Sequence, residues 1–318
     1  MSTLILMFRN VLLFVALAIP GFLLAKKGAI KEAHSQGFSL LLTKAAFPIF
    51  IFSGTLNGFS FEKESLLLFV KCLIPAVLGI FLFALVVTIL QGKISDRKKR
   101  GTMQFCSIFP NNGLLGIPLA MAVLGDSPVI PAMILMNILT NILVYTLGVV
   151  QFSGDKSKIS VKHALFNPVM IAFLCGVLVQ GLGLAEKVPE IGKFADYFGK
   201  SVTPLSMTVL GIKLASFPLK KIFLSAESYF VSFIKLVLCP VLVLALVFGV
   251  KSFLPSFADD TILVAAFFTM AMPTAGLASS LAISFGGEEE DAAKFTLGTT
   301  LLCIITVPIL YWALMLLI

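Results

Sequence analysis

The chain has 318 residues, of which 58% are hydrophobic and 13% charged, and it carries a net charge of +8. Soluble domains are roughly half apolar and about a quarter charged, so this composition excludes an ordinary soluble protein. Apolar runs recur along the whole sequence at lengths that match a hydrocarbon core roughly 30 Å thick. We therefore expect a polytopic membrane protein with no separate soluble domain.

Ten apolar segments predict ten transmembrane helices, because the strands of a membrane barrel would be shorter and would alternate in polarity. The predicted spans 1 to 10 cover residues 4–24, 38–56, 66–90, 102–124, 129–152, 166–184, 201–217, 229–250, 260–285 and 294–317. The expected fold class is thus an all-α polytopic membrane protein.

Basic residues predict the orientation, since cytoplasmic loops are enriched in Lys and Arg. The odd-numbered connections hold fourteen of them, and the even-numbered connections hold five. The odd connections are therefore expected in the cytoplasm and both termini outside it. The basic run 96–100, "DRKKR", is interpreted as part of this signal, and no nucleic acid is expected as a partner.

Prolines at matching places indicate an internal repeat. Three pairs occur in the same order at offsets of 156, 165 and 155 residues: Pro48 and Pro204, Pro75 and Pro240, Pro118 and Pro273. The spacing predicts a first five-helix unit at 1–152, a cytoplasmic linker at 153–165 and a second unit at 166–318. Because five is odd, the second unit enters from the opposite side, as in the inverted repeats of many secondary transporters.

Two apolar spans are interrupted by helix-breaking residues. Span 4 contains "FPNNGLLGIPLA" (109–120), and span 9 contains "AMPTAGLA" (271–278). Unwound backbone at membrane depth needs protein or a watery cavity around it, and paired breaks in two repeats indicate a transporter's binding site. We expect spans 4 and 9 to be broken and to cross, with Pro118 and Pro273 holding the breaks open. The alternative is a pair of proline kinks that serve packing alone.

The breaks supply the candidate substrate-binding residues, because the first N–H groups of each following half-helix attract anions. Asn137 and Asn141 in span 5 are four residues apart and share a helical face, where they line a polar path or only join helices. The candidate site comprises Asn111, Asn112, Gly113, Gly116, Pro118, Asn137, Asn141, Pro273, Thr274, Ala275 and Gly276.

Cations inside the spans also favour an anion. Lys44 is the candidate charge partner, whereas Arg9, Lys71, Lys213 and Lys235 lie near predicted span ends and are expected to snorkel to the interface. All sixteen Asp and Glu lie in connections or at span edges, so no sodium or proton coupling is expected. The five cysteines lack metal-site spacing and are expected to be buried apolar residues.

The sequence resembles the auxin efflux carrier (AEC) family, which includes plant PIN auxin transporters and bacterial permeases. The resemblance is carried by "FPNNGLLGIPLAMAVLG" (109–125), "TPLSMTVLGIKLA" (203–215) and the segment from "AMPTAGLASS" to "TVPIL" (271–310). It implies ten helices in two repeats, with spans 1, 2, 6 and 7 as a scaffold and spans 3–5 and 8–10 as a moving transport unit. Pro118 and Pro273 match its crossover prolines, and Asn111 and Asn112 match polar positions near the substrate carboxylate. Lys213 departs from the small or apolar residue expected at its position.

These features together predict a secondary transporter of a small organic anion, such as malate, malonate or an auxin-like acid, that works by elevator-type alternating access. It is not expected to be an enzyme or to need a cofactor or metal. The expected partners are the anion, the lipid bilayer of the plasma (inner) membrane and a second copy in a homodimer. The alternatives are a sodium-coupled symporter of the bile-acid transporter type, an anion channel, and a sensor without transport.

Overall fold

The computed structural model describes residues 3–58 and 63–318 of the chain. Its main helices are α1 (Leu4–Lys26), α2 (His34–Gly58), α3 (Leu67–Gln91), α4 (Arg97–Ile108), α5 (Asn112–Leu124), α6 (Val129–Ser153), α7 (Pro168–Gly181), α8 (Pro189–Gly199), α9 (Val202–Ser216), α10 (Ala226–Phe253), α11 (Asp260–Met270), α12 (Ala278–Phe285) and α13 (Glu289–Met315). Short helices at Lys156–Lys158, Val161–Leu165, Leu184–Lys187 and Leu219–Phe223 lie in the connections.

Within the described residues, six helices are long and apolar enough to cross a membrane, namely α1, α2, α3, α6, α10 and α13. The apolar helices α5, α7 and α11 are shorter. These helices confirm the expectation of an all-α polytopic membrane protein. Ten crossings and an inverted repeat stay predictions.

Spans 4 and 9 are each interrupted, but one break lies elsewhere than expected. α4 ends at Ile108, and Phe109 is extended (φ −87°, ψ 119°), as a residue before a proline prefers. Pro118 lies inside α5, so the prediction that it holds the break open is wrong, and Pro110 occupies the break instead. In span 9 the chain leaves the helix after Met270 and re-enters it at Ala278, around Pro273 as predicted.

Wide π-helical turns accompany several of the buried prolines. A proline lacks the N–H donor for the carbonyl four residues back and clashes with it, and a wider turn relieves that clash. Such turns occur at Leu42–Ala46 before Pro48, at Ile74–Gly79 around Pro75, at Asn112–Gly116 before Pro118, and at Ile234–Leu238 before Pro240. Pro75 and Pro240, which the repeat pairs, are thus each accompanied by a π turn.

The helices pack in two groups that share α1, since the first half of α1 packs on α13. In one, the second half of α1 packs on α9, and α2 packs on α7 and α8. Gly21 and Gly211 allow the first of these contacts, since a Cβ at either would collide with backbone atoms of the facing helix. In the other group, α11 packs on α6 and α10, α3 packs on α4, and α13 packs on α10 and α12.

The predicted cytoplasmic connections meet at one end of the helices. Glu227 forms ion pairs with Lys99 and, at 3.5 Å, with Lys294, and Lys221 pairs with Glu290. These five residues belong to the odd connections 3, 7 and 9 or lie beside them. Exposed ion pairs contribute little stability, but these contacts show that connections 3, 7 and 9 lie together. The side of the membrane on which they lie stays a prediction.

Connection 8 contacts the start of α3, away from these ion pairs. There Lys71 pairs with Asp259 at 2.6 Å, and Lys251 pairs with Asp260. Burial alone would raise the pKa of Asp259, but hydrogen bonds from the Lys71 ammonium and the Ile262 N–H hold that pKa below its usual value. The carboxylate of Asp259 thus neutralises the charge of Lys71 near the start of α3.

Four of the five cysteines are buried, as expected, but Cys175 is exposed on α7 and contradicts that expectation. It faces outward beside Leu174 and Leu178, which are also exposed.

Candidate functional site

The two breaks cross and bind each other through their backbones. The N–H of Asn111 donates to the carbonyl of Pro273 at 2.7 Å, and the N–H of Ala275 donates to the carbonyl of Phe109 at 2.9 Å. Pro110 and Thr274 face each other in a short antiparallel bridge. Each break thus gives one donor and one acceptor to the other, which satisfies polar groups that the apolar surroundings would leave unpaired.

Thr274 supplies the hydrogen-bond donor that Pro110 lacks. Its fully buried hydroxyl donates to the carbonyl of Cys106 at 2.6 Å, which is the carbonyl that a residue 110 with an N–H would have bound. The Thr274 N–H in turn donates to the hydroxyl of Thr299 on α13, at 3.1 Å. Thr274 therefore connects α4, the break of span 9 and α13.

Four helix ends meet at the crossing. α4 and α11 arrive there with their C-terminal ends, and α5 and α12 leave with their N-terminal ends. The first N–H groups of α5 and α12 lack an acceptor within their own helix and carry partial positive charge. The crossing therefore presents two anion-attracting ends.

Three asparagine side chains form a directed chain that ends at the crossing. The Asn141 Nδ2 donates to Asn137 Oδ1 at 3.2 Å, and the Asn137 Nδ2 donates to Asn112 Oδ1 at 2.7 Å. The Nδ2 of Asn112, at the start of α5, finds no acceptor anywhere in the described residues, although Asn112 is 3% exposed. A buried donor without an acceptor is costly, so Asn112 offers an unused N–H pair to an anion.

Asn111, the residue before Asn112, lies against Gly276 of the second break. Asn111 is half-buried, and a Cβ built on Gly276 would lie 3.7 Å from its Nδ2, an ordinary contact distance. Ala275 is buried beside Gly276 and contributes the backbone N–H already described. The polar residues predicted from both breaks thus lie together at the crossing.

Gly113 and Gly116 let neighbouring helices pack closely against α5. A Cβ on Gly113 would collide with the ring of Phe47 and lie 2.8 Å from Asn137 Nδ2. A Cβ on Gly116 would collide with the carbonyl of Phe268 on α11. Both glycines let neighbouring helices reach the crossing, which accounts for them without a direct substrate contact.

Pro118 and Lys44 lie further from the crossing. Pro118 leaves the carbonyl of Leu114 without its helical donor, and the hydroxyl of Ser206 on α9 contacts that carbonyl at 3.4 Å. Lys44 is exposed in the π turn of α2, about one turn before Phe47. Its role as a charge partner stays a prediction.

Lys235 is the residue that the sequence analysis missed. It is fully buried, and its Nζ donates to the carbonyl of Met270 at 3.2 Å and to that of Ile108 at 3.4 Å. The expectation that it snorkels to the interface is therefore wrong. The sequence does contain a signal for this position, namely the N-cap residue Ser225. Ser225 caps α10 and places the helix start at Ala226, so Lys235 lies deep within the helix.

A family profile described as "Membrane transport protein" matches residues 6–311. The chain belongs to this family, the AEC family. Its match with a protein of Rhizobium meliloti (strain 1021) named "Putative malonate transporter" is 29% identical and spans 65% of each of the two chains, just under two thirds. An uncharacterized transporter of Methanothermobacter thermautotrophicus is 25% identical over 95% of this chain and 96% of its own. An uncharacterized transporter of Methanocaldococcus jannaschii is 26% identical over 66% and 70%, respectively.

Membership of the family confirms the resemblance seen in the sequence and the assignment to membrane transport. The family motif in span 4 is the segment that contains Pro110, Asn111 and Asn112, which the structure brings against Pro273 and Thr274 of the second motif. Two of the three segments that carry the resemblance thus contain the crossing breaks.

Proposed function

We propose that the protein is a secondary transporter of a small organic anion, and that the anion binds at the crossing of the two breaks. The buried Nδ2 of Asn112, which has no acceptor in the described residues and lies at the positive end of α5, is the observation that carries this proposal. A carboxylate supplies the missing acceptor and gains charge-assisted hydrogen bonds.

Malonate, malate and auxin-like acids are the substrates that we propose to test first. The relative from Rhizobium meliloti is named for malonate, and all Asp and Glu of this chain lie at or beyond span edges, so no carboxylate opposes an anion at membrane depth. The N-terminal ends of α5 and α12 and the unused Asn112 donor favour an acceptor ligand over a cation.

The transport cycle that we propose is an elevator movement within ten crossings and two inverted repeats. The reciprocal hydrogen bonds between the breaks are those that a two-fold relation between repeats would produce. The group containing α2, α7, α8, α9 and the second half of α1 is the proposed scaffold, and the other group is the proposed transport unit. We further propose a homodimer in the plasma membrane, which mass measurement of the detergent-purified protein would test.

Thermal-shift measurements test the proposed substrate class. The purified protein is heated with a panel of mono- and dicarboxylates, and each acid is matched with its neutral amide as the control. At least one carboxylate should raise the melting temperature while its amide does not, since only the ionised form gains charge-assisted bonds. Stabilisation by the amides alone would contradict an anion site.

Transport is expected to be independent of sodium. Where half-helices coordinate a coupling ion, C-terminal carbonyls bind it, and here the carbonyls of Ile108 and Met270 are occupied by Lys235. Uptake into proteoliposomes should therefore be the same in sodium and potassium buffers at matched membrane potential. A strict requirement for sodium would instead support a symporter of the bile-acid transporter type.

The proposed orientation predicts which positions react with an impermeant maleimide added outside cells. In a background without native cysteines, Glu186→Cys in an even connection and Ile318→Cys at the terminus should be labelled. Lys158→Cys and Asp96→Cys, in odd connections, should be labelled only after the membrane is opened. The reverse pattern would overturn the orientation that the fourteen-to-five basic asymmetry predicts.

A further inference from the structure

Lys235 is a buried cation held between two helix ends. Its Nζ contacts the carbonyl of Ile108, the last residue of α4, and that of Met270, the last residue of α11. The remaining contact is with Cys239 Sγ at 3.8 Å, one turn further along α10. Both oxygen partners are main-chain carbonyls, so no carboxylate in these contacts cancels the charge.

Lys71 shows the opposite arrangement in the first predicted repeat. It stands four residues before Pro75, as Lys235 stands five before Pro240. Lys71 precedes the π turn of its helix, and Lys235 lies within the π turn of its own. Lys71, however, pairs with the carboxylate of Asp259 at 2.6 Å. Of these two lysines, only Lys235 carries its positive charge to the crossing.

The charge of the crossing depends on this lysine. Each helix end contributes about half an elementary charge, positive at an N-terminus and negative at a C-terminus. The two N-terminal ends of α5 and α12 and the two C-terminal ends of α4 and α11 therefore nearly cancel. An ammonium placed on the two C-terminal ends leaves the N-terminal ends uncompensated, with a net charge of about +1.

We propose that Lys235 is a positioning residue that neutralises the C-terminal ends of α4 and α11 and thereby makes the crossing selective for anions. This inference deepens the proposed function and rests on it for the identity of the site. Lys235 acts through the field at the crossing and through the two half-helices that it holds, without touching the anion. A neutral hydrogen-bond donor at this position would hold the helices equally well but would not make the site electropositive.

A pair of oppositely charged thiol reagents measures this field without any substrate. Gly276→Cys places a thiol at the crossing, where a Cβ has room and the residue is partly exposed. Cys175→Ser removes the exposed native cysteine. The purified protein is then treated with sulfonatoethyl and trimethylammonioethyl methanethiosulfonate. The measured quantity is the ratio of the anionic to the cationic rate, divided by the same ratio for mercaptoethanol.

We expect a ratio well above one with Lys235 present. Lys235→Met and Lys235→Gln should each lower it by about tenfold or more, because the two reagents respond in opposite directions to the lost charge. The Gln variant keeps a donor for the carbonyls and so separates charge from hydrogen bonding. Lys71→Met, which removes the same charge from the matched lysine, should change the ratio by less than about threefold.

Two results would overturn the inference: a ratio at or below one in the parent, or ratios in both Lys235 variants equal to the parent's. A parent ratio at or below one contradicts the inference even if neither variant folds. The outcome is also distinct from that of the carboxylate panel. An electropositive crossing that binds no carboxylate would remove the proposed substrate and keep the role of Lys235, whereas carboxylate binding with an unchanged ratio would remove only that role.

Discussion

Asn112→Asp is expected to abolish substrate binding, with a loss of more than about a hundredfold in affinity. Asp keeps the size of Asn and an oxygen for Asn137 Nδ2, which lies 2.7 Å from Asn112 Oδ1. It replaces the unused N–H donor with a negative oxygen that repels a carboxylate. Asn112→Ala only removes the donor, which costs roughly 1.5–3 kcal/mol for a charged acceptor, or about a ten- to hundredfold loss.

The measurement is the dissociation constant of the best carboxylate in the panel, at equal protein abundance. Asn10→Ala is the matched control, since the amide of the half-buried Asn10 donates to a carbonyl in its own helix, that of Leu6. Asn137→Ala should have a smaller effect than Asn112→Ala, because Asn137 orients Asn112. Wild-type affinity in both Asn112 variants would place the anion elsewhere.

Pro110→Ala and Pro273→Ala are each expected to reduce transport by about tenfold or more while the protein still inserts in the membrane. Pro110 keeps Phe109 extended, and alanine there removes the restriction on the preceding residue and supplies an N–H. That N–H competes with the Thr274 hydroxyl for the Cys106 carbonyl, at present 2.6 Å from it. Closing either break removes the backbone bonds between them.

Two further alanine variants serve as controls for the size of the transport loss. Pro118→Ala should reduce transport less, because Pro118 lies within α5 and not in the break. Pro20→Ala, in α1 and exposed, should transport normally. Uptake is compared at equal abundance in proteoliposomes. Normal uptake by both break variants would mean that Pro110 and Pro273 serve packing alone.

Apolar length and helix-breaking composition were enough to predict the helices and the interrupted spans. Every predicted span coincides with helix within a few residues, and "FPNNG" and "AMPTAG" both lie in the breaks. The sequence could not decide between Pro110 and Pro118, since a proline either breaks a helix or is accommodated by a π turn, and neighbouring helices determine which occurs. At Pro110 the chain breaks, and the Thr274 hydroxyl, far away in sequence, binds the Cys106 carbonyl that the break exposes.

The partners of a buried lysine likewise could not be predicted from the sequence pattern. Lys235 and Lys71 have similar sequence surroundings, yet one binds two helix ends and the other a carboxylate. Each partner lies in a distant segment, so only the packing of α10 and α3 against the crossing distinguishes them. The sequence marked Asn112 as a candidate because it is a polar residue in a break. Its unused donor could be recognised only from the direction of the Asn141–Asn137–Asn112 chain.

A structure of the protein with its best-stabilising carboxylate, in brominated form so that anomalous scattering locates the ligand, tests the central claim most directly. We predict a carboxylate oxygen within hydrogen-bonding distance of Asn112 Nδ2 and of the first N–H groups of α5, with Gly276 of the second break alongside. A carboxylate bound outside the crossing, with the Asn112 amide still lacking an acceptor, would contradict it.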